Sequence, residues 1–258
     1  MCPAFETNED AFEELLTSCT AARVLDVATG RGHFLEWIMD TLRGTGTAVA
    51  IDHQMSALAS LQRNSPEGDM LPVQMDAVRL AFCDEAFDLA CISHSLHHIS
   101  DPQGCLREMI RVLRPGGMLI VREMYANRQH GPQQTHVDLH HWWAAVDTAR
   151  GVSHRKTYPR DDLAALFQDM ELPRVRMFDF AAPEGDPHEP ALLEQLDGII
   201  DRYEDMAGSL ENGRELQERG EELRELVHRI GFQSAAQLVM VGWVEGRTPH
   251  NSHINPPS

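Results

Sequence analysis

The feature that most constrains the fold is a regular alternation of short apolar runs with amphipathic stretches between residues 22 and 125. This pattern is typical of parallel strands joined by helices that cover the faces of one sheet. Helices are predicted at 33–42, 55–64 and 104–113, and the last is ended by the sequence Arg-Pro-Gly-Gly at 114–117. The predicted strands are 23–28, 47–52, 71–76, 87–93 and 118–124.

The second half of the chain holds two further predicted strands, 174–181 and 235–244, on either side of an acidic stretch. Residues 184–230 contain fourteen acidic residues and five arginines, so they carry half of the net charge of −18. Leucine and isoleucine recur there at helical spacing around the turn SLENG, which predicts a helical hairpin with a charged outer face. We expect its apolar stripe to pack on the main domain; a homodimer contact or an active-site lid is the alternative.

Charge and cysteine content limit the partners and the compartment. An acidic surface repels phosphate backbones, so nucleic acid is not an expected partner. The sequence has no apolar run long enough to cross a bilayer, and its acidic N-terminus is unlike a signal peptide. An odd number of scattered cysteines indicates reduced thiols and predicts a cytoplasmic protein. These are Cys2, Cys19, Cys83, Cys91 and Cys105.

A glycine-rich turn follows the first predicted strand, in the sequence VLDVATGRGHF. Gly30 and Gly32 permit backbone angles and close approaches that a Cβ atom would forbid. A phosphate-binding turn is not favoured, because the G-x-G-x-x-G and G-K-[ST] patterns are absent and Lys156 is the single lysine of the chain. Ligands of open parallel sheets bind beyond the carboxyl ends of the strands, so this turn marks the expected site.

Five motifs in order resemble those of the class I S-adenosylmethionine-dependent methyltransferases, particularly the branch of quinone-biosynthesis and related small-molecule enzymes. They are DVATGRG, AIDHQMSAL, VQMDAVRLAFCDEAFDLA, ISHSLHHISDP and LREMIRVLRPGGMLIVRE, and they cover residues 22–125. Ala28 stands where the family more often has glycine. An ordered set of this kind is far more specific than any single motif.

The resemblance implies an α/β fold: a Rossmann-like, seven-stranded sheet with helices on both faces. Its last two strands form an antiparallel pair. The acidic helices between them are a departure from the family's usual shorter connection, or an enlarged version of it. We expect one domain over residues 1–258, with a cofactor-binding core at 22–125, a substrate-pocket insertion at 126–160 and the acidic helical insertion at 184–230.

The resemblance also implies S-adenosyl-L-methionine as the cofactor. Asp52 is placed to accept from the ribose hydroxyls, Asp26 to hold the ammonium group, and Asp76 with Ala77 to flank the adenine. From the residues alone, Asp26 is equally a loop-capping carboxylate, Asp52 a helix N-cap and Asp76 a turn residue. The expected cofactor-binding residues are Asp26, Ala28, Thr29, Gly30, Gly32, Asp52, His53, Asp76, Ala77 and Ser93.

Histidines are concentrated in two places, SHSLHHIS at 93–100 and a predicted helix that begins with Thr135 as N-cap and ends before Gly151. The resemblance implies that His97 and His98 belong to the cofactor loop and its packing, whereas for His94 two positions stay open, facing the cofactor or facing the transferred methyl group. On the helix, His136 and His140 share a stripe with Trp143 and Asp147, whereas Trp142 is expected in the core. Paired histidines at this spacing can bind a metal ion with Asp147 or His154, but no metal is our expectation.

The segment after the fifth strand builds the substrate pocket in the resembled family, which makes Tyr125, His136 and Trp143 the expected substrate-binding residues. The leading hypothesis is in-line methyl transfer to a small-molecule acceptor. Two alternatives stay open: a metal-assisted enzyme that uses His136 and His140, and a catalytically inactive, cofactor-binding regulatory protein. The catalytic candidates are His140, His141 and His94, with Glu123 behind them.

Overall fold

The computed structural model describes residues 9–64, 70–180 and 185–245. They form one seven-stranded sheet of order β3-β2-β1-β4-β5-β7-β6. Strands β1 to β5 are parallel, and β7 runs antiparallel to both β5 and β6. The predicted fold class and its antiparallel final pair are confirmed. The strands are β1 Thr20–Val27, β2 Gly44–Asp52, β3 Met70–Gln74, β4 Phe87–Ser93, β5 Leu113–Met124, β6 Arg174–Phe180 and β7 Gln237–Trp243.

Helices cover both faces of the sheet. One face packs against α1, α2 and α3 through residues such as Phe12, Leu35 and Leu61, and the other packs against α4 and α6 through Met109 and Phe167. No helix within the described ranges is long and apolar enough to cross a membrane. The helices are α1 Glu9–Thr17, α2 His33–Thr41, α3 Met55–Asn64, α4 Pro102–Val112, α5 Gly131–Ala149, α6 Arg160–Gln168, α7 Pro190–Ala207 and α8 Gly213–Ile230.

The junction between α4 and β5 differs from the expected one. The helix ends at Val112, and Leu113 already pairs with Phe87 of β4, so β5 begins five residues before the predicted position 118. The pairing register shifts after this contact, and Gly116, at a φ of +79°, lies within the irregularity. The paired glycines therefore accommodate a distortion of the strand rather than a turn before it. The expected end of β6 at position 181 lies outside the described residues.

Helix α5 begins at Gly131, four residues before the predicted Thr135. Its start is fixed by the backbone N–H of His130, which donates to the Gln133 side chain at 3.1 Å, and by a proline in the first turn. The expected left-handed residue after the helix is confirmed, with Gly151 at a φ of +82°.

Helices α5, α7 and α8 share a small core of their own, which we call the three-helix cap. Trp142 of α5 is buried there, as predicted, and its indole N–H donates to the carbonyl oxygen of Leu216 at 2.8 Å. The hairpin α7–α8 lies between β6 and β7 in the chain, as predicted, but its apolar stripe packs mainly on α5. Its outer face carries charges such as Arg224, which contacts Asp201 and Glu204.

The strand order places β1 and β4 side by side, with β2 on one side of the pair and β5 on the other. The connections leave these two strands in opposite directions, which opens a crevice at their carboxyl ends. Ala28 and His94 directly follow the two strands and have φ angles of 53° and 47°. Left-handed backbone is uncommon for residues other than glycine, and it turns both loops sharply at this crevice.

Candidate active site

Two cavities open at the carboxyl edge of the sheet and share Ala28 in their walls. The larger, of about 540 Å³, lies beyond β2 and β3, and the smaller, of about 330 Å³, lies beyond β1 and β4. We call them the β2–β3 cavity and the β1–β4 cavity. They contain eight of the ten predicted cofactor-binding residues, namely Asp26, Ala28, Thr29, Asp52, His53, Asp76, Ala77 and Ser93.

The other two, Gly30 and Gly32, shape the turn behind these walls. The backbone N–H of Gly30 donates to Asp52 Oδ2 at 3.0 Å, and that of Gln54 donates to Asp52 Oδ1 at 2.8 Å. Gly32 lies against Leu61 so closely that a Cβ atom would overlap it. Asp52 thus ties the glycine turn to the end of β2 while it lines the β2–β3 cavity. Its Oδ1 accepts from Gln54, which precedes α3, so Asp52 is not the N-cap of that helix, and its role toward a cofactor stays a prediction.

Asp26 is a buried carboxylate at the end of β1. The hydroxyl of Thr29 donates to Asp26 Oδ2 at 2.6 Å, and the thiol of Cys91 lies 3.3 Å from Oδ1. Burial raises the pKa of Asp26 to about 6, although these two hydrogen bonds oppose the shift. Asp26 forms no ion pair with any residue that the structure describes, so its carboxylate is available to a cation in the cavity.

Five lining residues of the β1–β4 cavity were not predicted. Two of them, Arg31 and His33, flank Gly32 at the glycine turn, and the other three are Phe34, Trp37 and Arg122. Phe34 and Trp37 come from the first turns of α2, and Arg122 comes from the carboxyl end of β5 with its guanidinium 5.6 Å from the Phe34 ring centre. Only their positions in the sequence could have indicated Phe34, Trp37 and Arg122 as cavity residues. The two aromatic residues lie three apart after the glycine turn, and the arginine lies near the end of a buried strand. These side chains give the cavity an aromatic wall and one positive charge.

The structure separates the four predicted catalytic residues. His94 lines the β1–β4 cavity, and burial lowers its pKa, so the imidazole is neutral at physiological pH. Glu123 is completely buried and lines neither cavity. It accepts the backbone N–H groups of Leu96 and Met124, each at 3.0 Å. Glu123 thus holds the turn after β4, and its role behind the catalytic histidines stays a prediction.

His140 and His141 also lie away from both cavities. His140 is buried between the rings of His97 and His154, whose centres are 4.7 and 4.8 Å from its own. His141 lines a separate cavity of about 450 Å³ with Lys156, and its Nε2 lies 2.9 Å from the hydroxyl of Thr157. These two histidines were catalytic candidates because the segment after the fifth strand builds the substrate pocket in the resembled family. The packing of α5 places them outside both cavities, and their catalytic role stays a prediction.

The three predicted substrate-binding residues make their contacts with other parts of the protein. Tyr125 is buried in the core, and its burial together with Asp179 raises its pKa to about 12. His136 Nδ1 accepts the backbone N–H of Ala235 at 2.9 Å, and Trp143 packs against Tyr203. None of the three lines either cavity.

His136 and His140, the pair considered for a metal, do not converge on one point. Their ring centres are 6.4 Å apart, and His136 Nδ1 already accepts the Ala235 backbone N–H. A different group meets instead, His97, His98, His140 and His154, which we call the histidine cluster. Burial and the neighbouring imidazoles lower the pKa of His140 to about 2 and that of His98 to about 4. His97 and His98 were expected to belong to the cofactor loop and its packing.

Comparison with known proteins agrees with this geometry. Residues 25–121 match the family model described as "Methyltransferase domain". A demethylmenaquinone methyltransferase of Renibacterium salmoninarum is 38% identical over 44% of this chain and 45% of its own. The methyltransferase GfsG of Streptomyces halstedii is 28% identical over 77% of this chain and 70% of its own. The chain spans under half the length of the first of these relatives.

A solved structure from Bacillus halodurans C-125, assigned provisionally as a methyltransferase, has the same fold. Its TM-score is 0.59 at 20% identity, and the alignment covers 92% of this chain and 99% of that one. The resemblance found in the ordered motifs is thereby confirmed. Residues 25–121 thus match a methyltransferase domain, and the chain has the fold of the Bacillus halodurans structure.

Proposed function

We propose that the protein is an S-adenosylmethionine-dependent methyltransferase that acts on a small-molecule acceptor. The proposal rests on three carboxylates, Asp26, Asp52 and Asp76. They stand at or just beyond the carboxyl ends of three neighbouring strands, and they line two cavities that share Ala28 in their walls. A cationic nucleoside fits this set. Asp52 would accept from vicinal ribose hydroxyls, Asp76 and Ala77 would border the base, and Asp26 would balance an ammonium group.

S-adenosylmethionine supplies, when bound, an electrophilic methyl group for in-line displacement by the acceptor. The contribution of this chain is alignment, which can lower a barrier by several kcal/mol. His94 is our candidate to take a proton from an acceptor such as a phenol or enol, because it lies with Asp26 and Ser93 in the β1–β4 cavity. Phe34 and Trp37 of the same cavity would exclude water from the transferred group.

The acceptor class we propose is a flat, quinone-type ring. Its support is the similarity to a demethylmenaquinone methyltransferase, together with the aromatic wall of the β1–β4 cavity. GfsG, which aligns over more of the chain, widens the candidates to other small organic molecules. A panel of reduced quinones, phenols, thiols and amines, assayed with labelled cofactor, tests the class directly.

Calorimetry with S-adenosylmethionine and S-adenosylhomocysteine tests the proposed cofactor. We expect one site, and we expect Asp52→Asn to weaken it by about 10- to 100-fold, because a hydrogen bond to a charged group is worth about 1.5–3 kcal/mol. Asp40→Asn is the matched control, since Asp40 is exposed on α2 and lines neither cavity. Equal affinity of wild type and Asp52→Asn, or no binding by wild type, would contradict the proposal.

We further propose that the chain is one domain over residues 1–258 that works in the cytoplasm without nucleic acid. The interleaving of the three-helix cap with the sheet supports a single domain, since α7 and α8 lie between two paired strands. The net charge of −18 supports the absence of a nucleic-acid partner, and the four described cysteines are free thiols.

A further inference from the structure

The histidine cluster brings together three segments of the chain that are far apart in sequence. His97 and His98 come from the turn after β4, His140 comes from the middle of α5, and His154 comes from the loop before α6. One ring nitrogen of each of the four residues lies within 4.8 Å of the others. The side chains are enclosed, with His97 1%, His154 6% and His140 9% exposed.

Three of these residues keep buried nitrogen atoms without a partner. Both ring nitrogens of His97, together with His140 Nδ1 and His154 Nε2, have no hydrogen-bond partner in the described part of the chain. A buried polar atom left unpaired costs about 1–3 kcal/mol, so four in one place are a considerable penalty unless something else binds them. Protonation does not remove the penalty, because it would place positive charges in contact inside the protein.

Two carboxylates stand behind the cluster. Asp147 Oδ2 lies 2.8 Å from His154 Nδ1, and Glu123 Oε2 lies 3.0 Å from His97 Nδ1. Both carboxylates are held in place, Asp147 by the Tyr203 hydroxyl and Glu123 by backbone N–H groups. A carboxylate on one ring nitrogen orients a histidine and makes the other nitrogen a better metal ligand. The hydrogen bond of His154 leaves its Nε2 free, and on His97, where the contact of Nδ1 with Glu123 is an ion pair without hydrogen-bond geometry, Nε2 is the nitrogen away from the carboxylate.

We propose that His97, His98, His140 and His154 bind one transition-metal dication, with Zn²⁺ as the reference ion. Imidazole nitrogen suits Zn²⁺ and its neighbours in the first transition row, whereas Mg²⁺ and Ca²⁺ require oxygen ligands. Zinc–nitrogen bonds of about 2.0–2.1 Å in a tetrahedron place the nitrogens about 3.4 Å apart, so the rings close by little more than 1 Å on binding. This site does not depend on the proposed methyltransferase activity.

Four protein ligands fill a tetrahedral site, which is the arrangement of structural zinc. The site lies beside the β2–β3 cavity, whose wall includes His98 and Ser153. Ser153 Oγ donates to the His98 carbonyl at 2.9 Å, and the Arg155 backbone N–H donates to the His97 carbonyl at 3.0 Å. The ion would thus clamp the loop before α6 onto the turn after β4 and keep that wall of the cavity in place.

The test uses the full chain, stripped with a chelator and titrated with Zn²⁺ against a chromophoric competitor in the absence of any cofactor. We expect one equivalent to bind, a rise in melting temperature on loading, and the visible absorption of tetrahedral Co²⁺ when cobalt replaces zinc. His140→Gln and His154→Gln should weaken binding at least about 100-fold, and Asp147→Asn by about 10- to 100-fold. His136→Gln is the matched control, a half-buried histidine on the same helix outside the cluster, and should keep the full equivalent.

Circular dichroism establishes that each variant is folded. If His140→Gln does not fold, Zn²⁺ binding is measured on His98→Gln instead, because His98 is only half-buried and tolerates substitution best of the four histidines. Stoichiometry below one in the wild type, a dissociation constant weaker than about 10 μM, or equal loss in His136→Gln would overturn the proposal. An oxygen-rich first shell in X-ray absorption would overturn it as well.

Discussion

At the scale of the residue, Asp26 allows the most specific prediction about pH. Its carboxyl group is buried, and no cationic side chain among the described residues pairs with it. Its pKa is raised from 3.8 to about 6, with burial as the main cause and Asp52 adding to it. The ionised form is therefore less favourable in the folded than in the unfolded protein. The stabilising contribution of the protonated group is complete below pH 3.8 and is lost as the pH rises through about 6.

Asp26→Asn should therefore raise the melting temperature at pH 8 and leave it unchanged near pH 3.5. The shift corresponds to at most about 3 kcal/mol, from about two pKa units at 1.36 kcal/mol each. Thermal unfolding across this pH range measures it, with Asp40→Asn as the control. A gain that is equal at both pH values would show that ionisation is not its cause.

The same group predicts how cofactor affinity depends on pH. A cationic ligand needs the ionised carboxylate, so S-adenosylmethionine should bind more tightly above pH 6 than at pH 5, with proton release at the lower pH. Calorimetry in buffers of different ionisation enthalpy counts these protons. Asp26→Asn should bind S-adenosylmethionine weakly at both pH values. If this variant keeps the pH dependence of the wild type, Asp26 does not contact the cationic group of the cofactor.

His94→Asn is the informative change for the proposed proton acceptor. Asparagine tolerates the left-handed backbone that His94 adopts, so the loop should keep its course while the imidazole is lost. Turnover of a protonated acceptor should fall by about 10²- to 10⁴-fold, with cofactor affinity unchanged. His188→Gln, on an exposed residue, is the control; wild-type turnover in His94→Asn would remove the assignment.

That the proposed cofactor-binding residues lie close together could be predicted from the sequence, because each stands at or just beyond the end of a strand or in the glycine turn. Asp26, Asp52 and Asp76 lie at the carboxyl ends of neighbouring strands, where local order alone brings them together. His97 and His154 are 57 positions apart, and no local pattern joins them. Their meeting depends on how α5 and the loop after it cross the end of the sheet.

At the scale of the element, the contact between α5 and α8 depends on one glycine. A Cβ atom on Gly220 would lie 2.6 Å from Trp142 Cζ2 and 2.7 Å from a Glu204 oxygen, whereas one on Gly198 of α7 would meet nothing within 4 Å. Gly220 therefore allows the tryptophan to reach the carbonyl of Leu216, and Gly198 has no such role.

Gly220→Ala should lower the free energy of unfolding by about 1–3 kcal/mol through overpacking. Gly198→Ala should instead raise it by about 0.5–1 kcal/mol, because alanine favours the helix. Denaturant unfolding of the two variants measures both changes in the free energy of unfolding, which should have opposite signs. Stabilisation by both substitutions would mean that the tryptophan is free to move.

Element boundaries show why parts of the fold could not be predicted. The apolar run at 87–93 matches β4 residue for residue, because a central strand is buried on both faces. The start of α5 was misplaced because Thr135, a good N-cap by type, lies one turn inside the helix, where its hydroxyl bonds to Gly131. Helix α1 was not predicted at all.

At the scale of the whole molecule, the sequence left open a homodimer through the acidic insertion. The three-helix cap covers that stripe from within the same chain. Among the described residues, the large apolar side chains that remain exposed are Met55, Leu71, Val152 and Ile230, from four separate segments. A stable dimer needs a contiguous buried patch on each partner.

We therefore expect a monomer of 29.0 kDa at micromolar concentration. Sedimentation velocity at low and high salt measures the mass, and high salt removes any masking by repulsion between chains of charge −18. A dimer at high salt would show that a surface outside the stripe makes the contact.

The position of β7 in the sheet has a consequence for synthesis. This strand is made after β5 and β6, yet it lies between them and pairs with both. Until residue 243 has left the ribosome, β5 keeps an open edge and β6 has no neighbour in the sheet, while the five parallel strands are already available to fold. A nascent chain arrested before β7 therefore carries an unsatisfied strand edge, the kind of surface that chaperones bind and that other strands can join.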